Sequence, residues 1–138
     1  MKTFSQYIAE EHVTKAQLNK LEDYLDKLFN QAGRDIQWTK HFLDRVNDPR
    51  NKTQITIDEL KEMYEAEYKK HAQRIRNNKE KFEAILKDEG SEINIPFVLV
   101  WNERKGKRGQ YEIVAKSIMR KKGFKAREKF YKVNTDKK

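Results

Sequence analysis

Gly90-Ser91-Glu92-Ile93-Asn94-Ile95-Pro96-Phe97-Val98-Leu99-Val100-Trp101-Asn102 is the stretch on which the fold turns. Before it, apolar residues recur every three or four positions, and from Ile93 onward they are β-branched and aromatic with a period of two, which reads as a strand. Pro96 cannot donate a ladder hydrogen bond and so points to an edge or strand-entry position. Just upstream, Phe82, Ile85 and Leu86 have helical spacing, so a short helix is expected to end at Gly90. Downstream, Glu103-Arg104-Lys105-Gly106-Lys107-Arg108-Gly109 carries two glycines and four cations, a composition suited to a hairpin tip. Tyr111 to Arg120 alternates as the returning strand, Lys121-Lys122-Gly123 reads as a turn, and Phe130 to Val133 as a last short strand. The tail Thr135-Asp136-Lys137-Lys138 is expected to be disordered.

The residues before this stretch are helical in pattern. Thr14-Lys15-Ala16-Gln17 has the form of a capping box. It opens a helix with Leu18, Leu21, Leu25 and Leu28 on one face, closed by Gly33. A second, short helix over Thr39 to Asn47 buries Phe42, Leu43 and Val46 and stops before Pro49. Thr56-Ile57-Asp58-Glu59 is a second capping box, and Ile57, Leu60, Tyr64, Tyr68, Ala72 and Ile75 mark the buried stripe of the helix it starts. The acidic residues of that helix, Asp58, Glu59, Glu62, Glu65 and Glu67, read as a solvated surface or as partners of Lys61, Lys69 and Lys70. The expected fold is therefore α+β, with N-terminal helices packed on a C-terminal antiparallel sheet of about three strands.

The chain has 138 residues, enough for one core but not two, with no apolar run long enough to span a bilayer. It has no cysteine, which excludes disulfides and thiolate chemistry. His12, His41 and His71 are too dispersed for a convincing metal site, and no cofactor is expected. The net charge of +9 is unevenly placed. Residues 1–102 hold 17 Lys/Arg against 18 Asp/Glu, whereas residues 103–138 hold 14 against 4. Such concentration favours a polyanionic partner, because each neutralised phosphate releases counterions. The expected nucleic-acid-binding residues are Arg104, Lys105, Lys107, Arg108, Lys121, Lys122, Lys125 and Arg127. The alternative is that these lysines only keep a small protein soluble.

Met1-Lys2-Thr3-Phe4-Ser5-Gln6-Tyr7-Ile8-Ala9-Glu10 resembles the capsid-targeting peptide of the internal head proteins of T-even-type tailed phages. The resemblance rests on the Met-Lys start, the aromatic residues Phe4 and Tyr7, and the Ile8-Ala9-Glu10 end. It implies a propeptide over residues 1–10, cleaved after Glu10 by a prohead protease to leave a mature domain beginning at Glu11. It further implies packaging inside the capsid with the genome, then delivery into the host cytoplasm to act on a host target. A short amphipathic helical start is the alternative reading of the same residues.

His41 and Arg45 stand four apart on the short second helix and so project from one face, with Arg50-Asn51 just beyond. Metal-free cleavage of a phosphodiester requires a proton carrier near neutral pH and fixed cations for the charge that builds on the phosphate oxygens. Lys116 and Arg120 share a face of the returning strand and supply further cations, and Trp101 is placed to stack on a base. This order of elements is similar to the RelE/BrnT-type toxin nucleases, a likeness of topology over roughly residues 38–133 that implies a ribonuclease but carries over no catalytic set residue by residue; His41, Arg45, Lys116 and Arg120 are the candidates the residues themselves offer. The segments His41 to Asn51 and Lys116 to Lys122 are also similar to a domain of large myophage proteins. Three readings follow: a packaged protein acting on a host target, a metal-independent ribonuclease, or a passive DNA-compacting protein. A solvated helix face, with Arg45 paired to Asp44 or Asp48, is the alternative for His41 and Arg45.

Overall fold

Helix α1 (Lys15–Phe29) begins at Thr14, whose hydroxyl accepts from the Gln17 amide while the Gln17 side chain accepts from the Thr14 amide. This computed structural model describes residues 12–102 and 110–135. Leu18, Leu21, Leu25 and Phe29 form the buried face of α1. A 3₁₀ turn (Asn30–Ala32) and Gly33 at φ +72° then lead into strand β1 (Arg34–Trp38). Helix α2 (Phe42–Val46) and a 3₁₀ turn (Pro49–Asn51) follow, and helix α3 (Ile57–Asn77) starts at a second reciprocal capping box, Thr56 with Glu59. The remaining elements are strands β2 (Glu83–Asp88), β3 (Ile93–Asn102), β4 (Gln110–Ala115), β5 (Met119–Arg120) and β6 (Lys129–Val133).

The expected antiparallel sheet of about three strands is overturned. The sheet has six strands in the order β1-β4-β3-β2-β6, with β5 paired to the start of β3, and it is mixed. β1 runs parallel to β4 and β6 parallel to β2, while β3 runs antiparallel to both of its long neighbours. Two strands account for most of the difference. Residues 34–38, between the expected first and second helices, form an edge strand. Residues 83–88, read as helix, form a strand between β3 and β6. Helices and strands nonetheless make a broadly α+β mixture, with the helices in the first part of the chain.

The register divides the sheet into two faces. Ile36, Ile113, Leu99, Phe97, Ala84, Leu86 and Tyr131 lie on one face and are all buried. They join Leu25, Phe29, Leu60, Met63 and Tyr64 of the helices in one core. The expected strand from Tyr111 to Arg120 breaks at Ala115. There the Lys116 amide donates to Pro96 O, and the chain resumes pairing only at Met119 and Arg120, opposite Asn94 and Ile93. That break carries residues 117–122 across the N-terminal end of β3, beside the α2 region.

Two buried polar groups anchor the ends of elements. Arg34, on β1, donates to Arg76 O and Asn78 O at the C-terminus of α3, where a cation suits the exposed carbonyls and the helix dipole. Asp88 accepts from the Gly90 and Thr135 amides and from the Ser91 and Thr135 hydroxyls. Burial alone would raise its carboxyl, but these four hydrogen bonds outweigh it and hold the pKa below its ordinary value. Thr135, expected to begin a disordered tail, is thus tied to β2.

Candidate nucleic-acid interface

The break after β4 brings two distant basic segments together. One runs from α2 through the 3₁₀ turn and contributes Arg45, Asp48, Arg50, Lys52 and Thr53. The other, around β5, contributes Ser117, Ile118, Met119, Lys121 and Lys122. With Glu92 they line a cleft of about 730 Å³.

Asn51 stitches the base of this cleft. Its Nδ2 donates to Arg45 O at 2.8 Å, and its Oδ1 accepts from the Arg120 amide at 3.0 Å, so one buried amide side chain joins α2 to β5. Arg120 closes the same junction. Nε donates to Thr53 O, Nη1 to Glu59 Oε2 and Ser91 O, and Nη2 to Glu59 Oε1 and Gln54 O, at 2.7 to 3.2 Å. All five donors of a guanidinium are thereby used. Arg120 is a tie between α3, the loop before it and the sheet.

Lys52 adopts φ +66° and ψ −53°, and the Thr53 amide donates to Asn51 O at 2.7 Å. This is a γ-turn of the strained hand, rare for a residue with a side chain. The surrounding hydrogen bonds of Asn51 and Arg120 hold it in place. Asp48 caps the 3₁₀ turn through the Arg50 amide and pairs with the Arg50 guanidinium at 2.7 Å, with Arg45 at 3.9 Å. Arg50's hydrogen bonds lower the Asp48 carboxyl to about 2. Asp48 therefore stays ionised at any pH near neutral and holds the two arginines side by side.

The four residues of the nuclease reading are not gathered around one point. Arg45 lines the cleft and Arg120 lies in its wall with every donor engaged. His41 is outside the lining, with its side chain 78% exposed and Nδ1 3.9 Å from Asp44. Lys116 pairs with Glu83 at 2.9 Å, also outside the lining. Of the expected nucleic-acid-binding residues, Lys121 and Lys122 line the cleft. Lys125 and Arg127 are exposed on the segment that follows it. Arg104, Lys105, Lys107 and Arg108, and the processing residues Ile8, Glu10 and Glu11, lie outside the described residues. Trp101 is 37% exposed and edge-on to Tyr111, with Arg34 over the Tyr111 ring at 4.7 Å. It stands at the far end of β3, roughly 25 Å along the strand from the cleft.

Lys52 and Glu59 were missed by the sequence reading. Lys52 directly follows the singled-out Arg50-Asn51, so adjacency was its available signal. Glu59 is tied to a residue 61 positions away, and no local spacing announces such a pair. Among the described residues no group of three or more His, Asp or Glu is placed to hold a metal ion. No helix among them is long and apolar enough to cross a membrane. No family model, curated protein or solved structure matches the chain.

Proposed function

We propose that this protein binds nucleic acid through the cleft between the α2 region and β5, and that it does so as a packaged internal head protein of a T-even-type phage, trimmed after Glu10 and delivered into the host. The observation that carries the binding reading is the convergence of Arg45, Arg50, Lys52, Lys121 and Lys122 on one concave surface from segments about 70 residues apart. Lysines that serve only solubility have no reason to converge on one cleft. The packaging reading rests on the resemblance of residues 1–10 to the targeting peptide.

The arrangement favours binding over cleavage. His41 and Lys116 lie outside the cleft, and Arg120, in its wall, has no donor left for a phosphate. The test is a salt titration of oligonucleotide binding by wild type and by a variant with Arg50, Lys121 and Lys122 changed to glutamate. Wild-type affinity falls steeply with salt, by about 0.9 of a log unit per log unit of salt for each duplex phosphate contacted. The reversed variant loses both affinity and slope. Equal binding by the two proteins refutes the cleft, and cleavage of RNA by wild type in chelator would restore the nuclease reading.

A further inference from the structure

The cleft is ordered by polarity from rim to floor. Its cations stand outermost: Arg50 has a side chain 75% exposed, and Lys52, Lys121 and Lys122 are exposed. Its interior is different. Ser117, Met119 and Glu92 are half-buried, and Ile118 beside them belongs to the core. The Arg120 amide is held by Asn51 and the Lys121 amide by Glu92 O, while the Arg120 guanidinium is fully engaged. An anion at the rim meets cations, whereas an anion pushed inward meets the Met119 side chain and the Glu92 carboxylate, the Asp48 carboxylate being already paired with Arg50.

A duplex has the opposite order, since its phosphates are the outermost groups and its base edges are recessed in the grooves. Pressed into this cleft, a duplex puts phosphate where the site is apolar and acidic. A single strand has no such constraint, because its bases splay away from the backbone. With a base inward and phosphates at the rim, every group meets its complement. The half-buried Met119 side chain takes the ring, and the Glu92 carboxylate is an acceptor of the kind that pairs with an exocyclic amino group. A volume of about 730 Å³ is in the range of sites that enclose a small organic ligand.

We infer that the cleft takes a nucleobase of single-stranded nucleic acid, with the flanking phosphates on the rim cations. This rests on the nucleic-acid reading above and narrows it to one class of ligand. RNA and single-stranded DNA share the chemistry, and comparing them identifies the source.

The experiment is fluorescence anisotropy on the full chain at fixed salt. The probes are labelled single-stranded RNA and DNA of one sequence, the corresponding duplex, and inorganic polyphosphate as competitor. At least one single strand is expected to bind about five- to tenfold more tightly than the duplex at equal phosphate number, the low end of base-stacking contributions because Met119 is not aromatic. Ser117→Leu adds bulk to the cleft without a base-stacking ring and leaves all the rim cations. It is expected to abolish the preference and to keep salt-dependent binding of polyphosphate. Ser117→Met serves the same purpose if the first variant fails to fold by circular dichroism. Equal binding of single strand and duplex, or a preference that survives filling, overturns the inference and leaves the nucleic-acid reading standing. No binding of any probe by wild type overturns both.

Discussion

Glu67 lies in the core on the inner face of α3, 1% exposed, with neither carboxylate oxygen hydrogen-bonded. Burial pushes its pKa up to about 8. The unfolded chain ionises this residue near 4.5, whereas the folded chain keeps it protonated to about 8. The folded state therefore holds the extra proton between those values, and stability falls as pH rises through that window. The loss is of order 3–5 kcal/mol at most. Glu67→Met, apolar and similar in size, is expected to raise the melting temperature more at pH 8 than at pH 5, and thermal melts at the two values check it. His71 works in the other direction, because burial lowers its pKa and its neutral ring accepts protonation poorly. Its contribution is lost only as pH falls below the ordinary histidine range. At Arg120 the expectation is structural. Arg120→Ala leaves Glu59 and three carbonyls without their donor and is expected to cost about 3 kcal/mol, read by urea denaturation. A stable Arg120→Ala protein would contradict its role as a tie.

At the scale of elements, the sequence was most legible where local chemistry suffices. Both capping boxes are complete, and Thr56→Ala is expected to cost about 1 kcal/mol in a denaturation experiment. The strands that escaped notice did so for identifiable reasons. β1 spans five residues with charged Arg34 and Asp35 at its start, both buried, and it follows a glycine that reads as a helix end. Its place comes from parallel pairing with β4, about 77 residues away, which no local period reveals. In β2, Ala84, Ile85 and Leu86 are all buried. Ala84 and Leu86 face the helices, while Ile85 lies on the opposite face beside Phe130. A strand covered on both faces loses its alternation, and the remaining spacing of Phe82, Ile85 and Leu86 imitates a helix. Glu67 was assigned to a solvated acidic face because its spacing on α3 sits between clear apolar positions and its charge argued for water.

Across the whole molecule, the imbalance of charge toward the C-terminal quarter was visible in composition, but the partner of that charge was not. The cleft takes half of its cations from residues 45–52, in the part of the chain that is close to neutral overall. Arg45, Arg50 and Asn51 were singled out as one unit, and Lys121 and Lys122 as another. What joins them is the break after Ala115 and the Asn51 to Arg120 hydrogen bond, both products of long-range pairing. If the packaging reading holds, protein recovered from virions begins at Glu11, and N-terminal mass spectrometry of purified particles checks it; intact Met1 in mature heads would contradict it. Backbone amide chemical-shift mapping during titration with a short single-stranded oligonucleotide shows whether the cleft is the nucleic-acid interface. The largest shifts are expected within residues 45–54 and 117–122 and are expected to disappear at high salt. Shifts confined to residues 103–109 or to the Trp101 end of β3, with the cleft unperturbed, would contradict that assignment.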